Sequence, residues 1–325
     1  MRQYASRPVV GKVLGHLLRR ATSAIRLTGG GAIAAMAIGC ATTPAPVDQV
    51  KFFSQAFAAV NTVGQPMLDD LAASERMLGR RNADERARKL KTCAGGTEAA
   101  PWAQTGDIKL GYIQGYCLAD AGYFASVGDP PATAQMRAAL RLIERYADLL
   151  GALVEGRNVD QAVGEATALA QQAQGLLQLT GLNLALHAAV QALEPFLKDL
   201  ARQSDALAAQ KLILDGAPSI SSLIAALRAA VPASFDTLIA QLRLQADSPA
   251  GAAAAVAGID ARRVAVSDYV VLLDKLQLAW DATVLAARNP QGSKLPDLVA
   301  RTAQLRADAD AARRALVTLR TGVAP

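Results

Sequence analysis

VSDYVVLLDKLQLAWDATVLAA, residues 266–287, decides the fold. Val266, Tyr269, Leu273, Leu276, Trp280, Thr283 and Ala287 follow one another at steps of three and four, the period of one face of an α-helix. No alternation of apolar and polar residues, the pattern of a half-buried strand, runs through the segment. A strict 3–4 stripe keeps one seam turned towards a neighbouring helix that crosses at a shallow angle.

The same spacing recurs along the chain. Val50, Phe53, Phe57, Val60, Gly64, Met67, Leu71, Ser74 and Leu78 form the first stripe, with Pro66 inside it predicting a kink or a division of that helix. Met136, Leu140, Ile143, Ala147, Leu150 and Val154 form a second. Leu186, Val190, Leu193, Leu197, Leu200, Ser204 and Leu207 form a third, with Pro195 as a kink. Leu295, Leu298, Thr302, Leu305, Ala309, Ala312, Leu316 and Leu319 form the last. Shorter helices are expected over Ile220–Val231, begun by a Ser219 cap after Gly216-Ala217-Pro218, and over Phe235–Ala246 after Pro232. Turn chemistry marks breaks at residues 129–131, 247–249 and 289–292.

Composition agrees. Alanine and leucine dominate and aromatics are 4% of the chain, which favours helix and leaves little material for a β-sandwich or barrel. The expected fold is all-α: an elongated antiparallel multi-helix bundle with coiled-coil-like packing. Helices of 25–30 residues give a body roughly 40 Å long.

The N-terminus reads differently. Residues 1–39 carry Arg2, Arg7, Lys12, Arg19, Arg20 and Arg26 without an acid, then an apolar run from Leu27 to Ile38. That is the layout of an export signal, and the run is too short to span a bilayer, which takes roughly 20 residues. Ala37-Ile38-Gly39-Cys40 resembles the lipobox of bacterial lipoprotein precursors. The resemblance covers about the first 45 residues. It implies cleavage before Cys40, lipid on the Cys40 sulfur and a membrane anchor there. Because Ala41 stands where Asp favours inner-membrane retention, it also implies the periplasmic face of the outer membrane. The alternatives are the inner membrane, or an ordinary cleaved signal and a soluble exported chain.

Processing changes the charge argument. The formal charge is +6, but removal of the six basic residues before Cys40 leaves 28 Lys and Arg against 28 Asp and Glu. The global field that attracts nucleic acid is absent, and no nucleic-acid partner is expected. With lipid on Cys40, Cys93 and Cys117 remain as an even pair in an oxidising compartment, and a disulfide between them is expected. Closing that loop stabilises the fold by roughly 3–4 kcal/mol in the chain-entropy model. Two buried free thiols are the alternative. The organisation expected is a signal over 1–39, a Pro-containing tether over 40–47, N-terminal helices with a disulfide-pinned aromatic segment over 48–131, and a bundle over 132–325, the last two forming one domain or two.

Little chemistry is written in the bundle. His187 is the one histidine after residue 39. There is no G-x-S-x-G elbow, C-x-x-C, H-E-x-x-H or P-loop, so no metal or cofactor is expected. Asp69, Asp70, Glu144, Asp308 and Asp310 read as a solvated helix surface. Two features stand above this background. Arg76, Arg80, Arg81, Arg86, Arg88, Lys89 and Lys91 face only Asp84 and Glu85 within residues 76–91, an excess suited to anionic lipid or an acidic partner, or a merely solvated helix end. Trp102, Tyr112, Tyr116, Tyr123 and Phe124 are five of the thirteen aromatics after residue 39, and either form a recognition surface or fill the end of the bundle. The candidate partner-binding residues are therefore these five aromatics with Arg80, Arg81, Arg86 and Arg88.

The function expected is a non-catalytic, membrane-anchored scaffold or adaptor for an envelope protein. The alternatives are a periplasmic module that holds a small apolar or lipidic ligand between helices, and an envelope hydrolase acting through carboxylates.

Overall fold

A computed structural model describes residues 46–88, 117, 120–155, 209–246, 249–289 and 298–321, with 164, 167–169, 171, 173 and 188–191. They lie in one compact unit spanning Thr43–Pro325. The helices are α1 (Val47–Arg88), α2 (Ala121–Phe124), α3 (Pro131–Val154), α4 (Ala209–Ala233), α5 (Phe235–Gln245), α6 (Pro249–Arg288) and α7 (Leu298–Thr321). No strand occurs among the described residues. The fold is an all-α bundle.

Contacts between side chains show how the long helices run. Gln210, Ala217 and Ser221 of α4 meet Ala287, Trp280 and Gln277 of α6, so α4 and α6 are antiparallel. Gln49, Phe53 and Gly64 of α1 meet Thr283, Trp280 and Tyr269, so α1 is antiparallel to α6 as well. Gln65 and Glu75 of α1 meet Arg137 and Thr133, which sets α3 antiparallel to α1.

The stripe read from residues 266–287 is buried at every one of its seven positions, and Leu273, Leu276, Trp280 and Thr283 are wholly enclosed. Trp280 is the hub. Its ring lies 5.0 Å from Phe53 of α1 and edge-on at 5.6 Å to Tyr146 of α3, and its indole N–H donates to the Ala217 carbonyl of α4 at 3.3 Å. One side chain thus ties four helices together, through geometries that aromatic pairs favour.

Helix α1 buries more than its one stripe. Phe52, Ala56, Val63, Leu68 and Ala72 are buried beside it, because α1 packs against α3, α5, α6 and α7. A single seam anticipates one neighbour; a central helix needs a wider face.

One expectation about proline is narrowed and another is corrected. Helix α1 is not divided at Pro66, and the break expected before Ile220 does not exist: α4 runs unbroken through Pro218 and Pro232, with Ser219 buried in its interior. Proline in a helix costs about 3 kcal/mol. Here the residues on both sides of Pro218 are core: Leu212 and Ile213 before it, Ile220, Leu223 and Ile224 after it. Carbonyls near it accept tertiary donors, Leu212 from the Tyr146 hydroxyl at 2.8 Å and Ala217 from Trp280, while the Pro218 ring faces solvent. The shorter helix α5 begins at Phe235 as expected and ends at Gln245. Of the stripe from Leu186 to Leu207, Val190 is described, and it is buried; Pro195 lies outside the described residues.

Three helix glycines are occupied by tyrosines. A Cβ on Gly64 would fall inside Tyr269, one on Gly216 inside Tyr146, and one on Gly79 inside Tyr123. Each tyrosine lies against bare backbone of a neighbouring helix, so close approach, not a turn, explains these glycines.

Candidate functional site

The two features singled out in the sequence converge on one corner, where the end of α1 meets the α2–α3 turn. Glu75 of α1 is buried, and its carboxylate accepts the backbone N–H of Ala132 at 2.9 Å, that of Thr133 at 3.0 Å and the Thr133 hydroxyl at 3.0 Å. Helix α3 begins with Pro130-Pro131 and has no side-chain cap of its own. Glu75 supplies that cap from a different helix, and its negative charge sits on the positive end of the α3 dipole.

Arginines secure the other side. The Arg76 guanidinium donates to the Gly128 carbonyl, and the Arg80 Nε–H donates to the Tyr123 carbonyl at 2.9 Å. Gly128 takes φ = 75°, the left-handed region where glycine is favoured. On the next turn of α3, Arg137 pairs with Asp69 and, at 3.0 Å, with Asp129, and also donates to Gln65.

This framework holds two apolar side chains outward. Phe124 is 44% exposed and Val127 80% exposed. The Arg80 guanidinium lies 5.6 Å over the Phe124 ring, within cation–π range. Arg81 is exposed. Tyr123 lies half-buried against Gly79, so of the two described aromatics one packs on the bundle and one faces solvent. Trp102, Tyr112, Tyr116, Cys40 and Cys93 lie outside the described residues, as do His187 and the side chains of Arg86 and Arg88. Cys117 is buried and disulfide-bonded, with its partner outside the described residues.

The carboxylates read as solvated surface divide on inspection. Asp310 pairs with Arg313 at 3.5 Å on the surface, whereas Asp69 holds Arg137 and Asp308 holds Lys275 across helices. Glu75, Arg137 and Val127 are site residues that stripe-reading misses. Glu75 falls one residue after Ser74 of the α1 stripe, and that adjacency to a core seam was the available clue to its burial.

A groove of about 530 Å³ opens between α4 and α6. Leu214, Pro218, Val284 and Leu285 give it apolar walls, and Asp281 and Arg288 stand at its polar edge. Among the described residues no three His, Cys, Asp or Glu side chains gather into a set that could hold a metal ion. The stretch Ala209–Leu244 is long and apolar enough to cross a membrane by length and composition alone, yet Leu212, Ile213, Leu223, Ile224 and Leu227 within it are core residues of the bundle.

No family model, curated protein or solved structure matches the chain. The class that the fold defines is an all-α helical bundle, and the functional argument rests on its surfaces.

Proposed function

We propose that this chain is a non-catalytic, lipid-anchored envelope protein whose bundle presents the α1–α3 corner to a protein partner. The observation that carries the reading is the pair Phe124 and Val127, held out on a turn that Glu75, Arg76 and Arg80 fix in place. A preformed turn loses little conformational freedom on docking, so its apolar side chains contribute more of their burial to affinity. An exposed aromatic beside arginines has the composition of an interface anchor. Anchoring at Cys40 on the periplasmic face of the outer membrane follows the lipobox resemblance. The disulfide on Cys117 accords with an oxidising compartment, and Cys93 is the partner we assign to it.

A photo-crosslinking residue at Val127, in cells with the chain in its membrane, tests the docking corner. The reading expects one discrete crosslinked species, lost when Phe124→Ala is added and absent when the probe sits at exposed Arg243. No species from position 127, or the same pattern from both positions, would overturn it.

The reading as a lipidic-ligand module has one specific observation behind it, the α4–α6 groove with Arg288 at its edge, suited to an acyl chain ending in a carboxylate. Saturable binding of a fluorescent fatty acid that Arg288→Glu weakens is the result that this second reading expects; no binding removes it.

A further inference from the structure

Helix α6 is apolar on two opposite sides. With its core stripe at heptad positions a (Val266, Leu273, Trp280, Ala287) and d (Tyr269, Leu276, Thr283), position f points straight away from the core. Position f of a bundle helix is ordinarily charged. In α6 it holds Ala257, Val264, Val271, Leu278 and Leu285, all exposed, with the last four at 53%, 49%, 60% and 61%. A column at intervals of seven residues is the spacing that a second, supercoiling helix reads.

We infer that the occupant of this column is α6 of a second copy of the chain, packed antiparallel about a two-fold axis at Val271. That register sets Val271 against Val271, Val264 against Leu278 and Ala257 against Leu285 of the other copy, so the smallest residue of the column meets a leucine. The flanking charges select it. In an antiparallel two-fold pair, each flank of the helix faces the same flank of its mate reversed. Asp268 then stands opposite Lys275 of the other copy, twice. Asp268 has no charged partner among the described residues and lies half-buried, so a cation brought opposite it is favourable. Lys275 already holds Asp308, and its ammonium has further donors to give. On the other flank Ser267 meets Asp274, which Arg228 neutralises at 2.5 Å, and Asp260 meets Asp281, each with its own neighbour in Arg263 and Gln277. A parallel pair would set this flank against the other one, so that Asp268 faces Ser267 of the mate and Lys275 faces Asp274, which Arg228 already neutralises. An antiparallel pair slipped by half a heptad would set Lys275 on Lys275. The first leaves Asp268 without a cation, and the second is disfavoured by like-charge repulsion.

The column from Ala257 to Leu285 is about 42 Å long, and a helix is about 10 Å wide, so the contact covers on the order of 400 Å² per copy. That is roughly half a standard interface and predicts a weak, reversible dimer, strengthened when both copies are confined to one surface.

Cysteine crosslinking of the full chain in its membrane tests this, with the unsubstituted chain as control for the native thiols. Val271→Cys is expected to give a disulfide dimer of twice the chain mass under mild oxidation. Val264→Cys alone gives none, because two such residues lie about 21 Å apart, whereas Val264→Cys with Leu278→Cys gives a dimer. Asp268→Lys is expected to reduce the Val271→Cys dimer several-fold. These residues are exposed, and a circular dichroism melt verifies that each variant folds. No dimer from folded Val271→Cys, an equal dimer from Val264→Cys alone, or linkage of Val271→Cys to a different polypeptide would each overturn the inference. The readout involves neither Phe124 nor Val127, and the lipid is read separately from the intact mass of the same preparation, so failure of the dimer, of the docking corner and of the anchor are distinguishable.

Discussion

Two tyrosines, Tyr146 and Tyr269, are both fully enclosed, and both lie against a glycine of a facing helix, yet their hydroxyls differ. That of Tyr146 donates to the Leu212 carbonyl, while that of Tyr269 has no hydrogen-bond partner among the described residues. A buried hydrogen bond contributes about 1 kcal/mol net, and an unsatisfied buried polar group costs about 1–3 kcal/mol. Tyr146→Phe is therefore expected to lower the unfolding free energy by about 1 kcal/mol in urea titration, and Tyr269→Phe to raise it by a similar amount. Equal signs for the two would contradict the assignment. Burial also holds the phenols of both well above their ordinary value of 10.0, Tyr146 with added repulsion from Asp215. Between the ordinary and the raised values the unfolded chain has released protons that the folded chain keeps, so stability falls as pH rises above about 10. A stability profile to alkaline pH is expected to show that decline, with Tyr269→Phe flattening it. Gly64→Ala belongs to the same contact. The helix gains about 1 kcal/mol in propensity, but a Cβ inside Tyr269 costs about 1–3 kcal/mol in overpacking, so net loss is expected in the same titration, less in a Tyr269→Phe background. The stripe at 266–287 shows that Tyr269 faces the core; whether its hydroxyl finds a partner is set by α1, more than 200 residues earlier in the chain.

At the scale of the helix, the chain shows where helix is favoured more plainly than where it stops. The 3–4 stripes of α1, α3, α6 and α7 coincide with buried faces because periodicity reflects burial directly. Pro218 misleads because local propensity loses to tertiary packing: it sits in a helix whose flanking turns are core. The f column of α6 was equally legible, as four β-branched or leucine residues at exact intervals of seven, but a search for the inward face passes over the outward one. The α3 N-terminus is the counter-example. Its cap comes from Glu75, 56 residues before Pro131, and no window around Pro130-Pro131 contains that fact. Glu75→Ala removes the acceptor for the Ala132 and Thr133 N–H groups, and is expected to lower stability by about 2–3 kcal/mol in urea. The same change is expected to loosen the turn that carries Phe124 and Val127, read as faster amide exchange over residues 125–133. Unchanged exchange would separate the cap from the turn.

For the whole molecule, the sequence addresses location and the fold addresses surfaces. One central helix, one aromatic hub and three tyrosine-on-glycine contacts unite helices from both halves of the chain, and the described surface carries the corner at Phe124 and Val127, the α4–α6 groove and the apolar back of α6. The candidate corner was half legible. Its arginines and aromatics stood out as local excesses, whereas the intramolecular use of Arg76 and Arg80 depends on the return of the chain at Gly128. The account as a whole requires export and a lipid at Cys40, since these place both surfaces beside a membrane. Intact mass of the detergent-extracted protein, with alkylation before and after reduction, tests that requirement most directly. The account predicts a chain that begins at Cys40, carries acyl mass, and holds Cys93 and Cys117 out of reach of alkylation until reduced. A chain that keeps residues 1–39, with both thiols free, would contradict it.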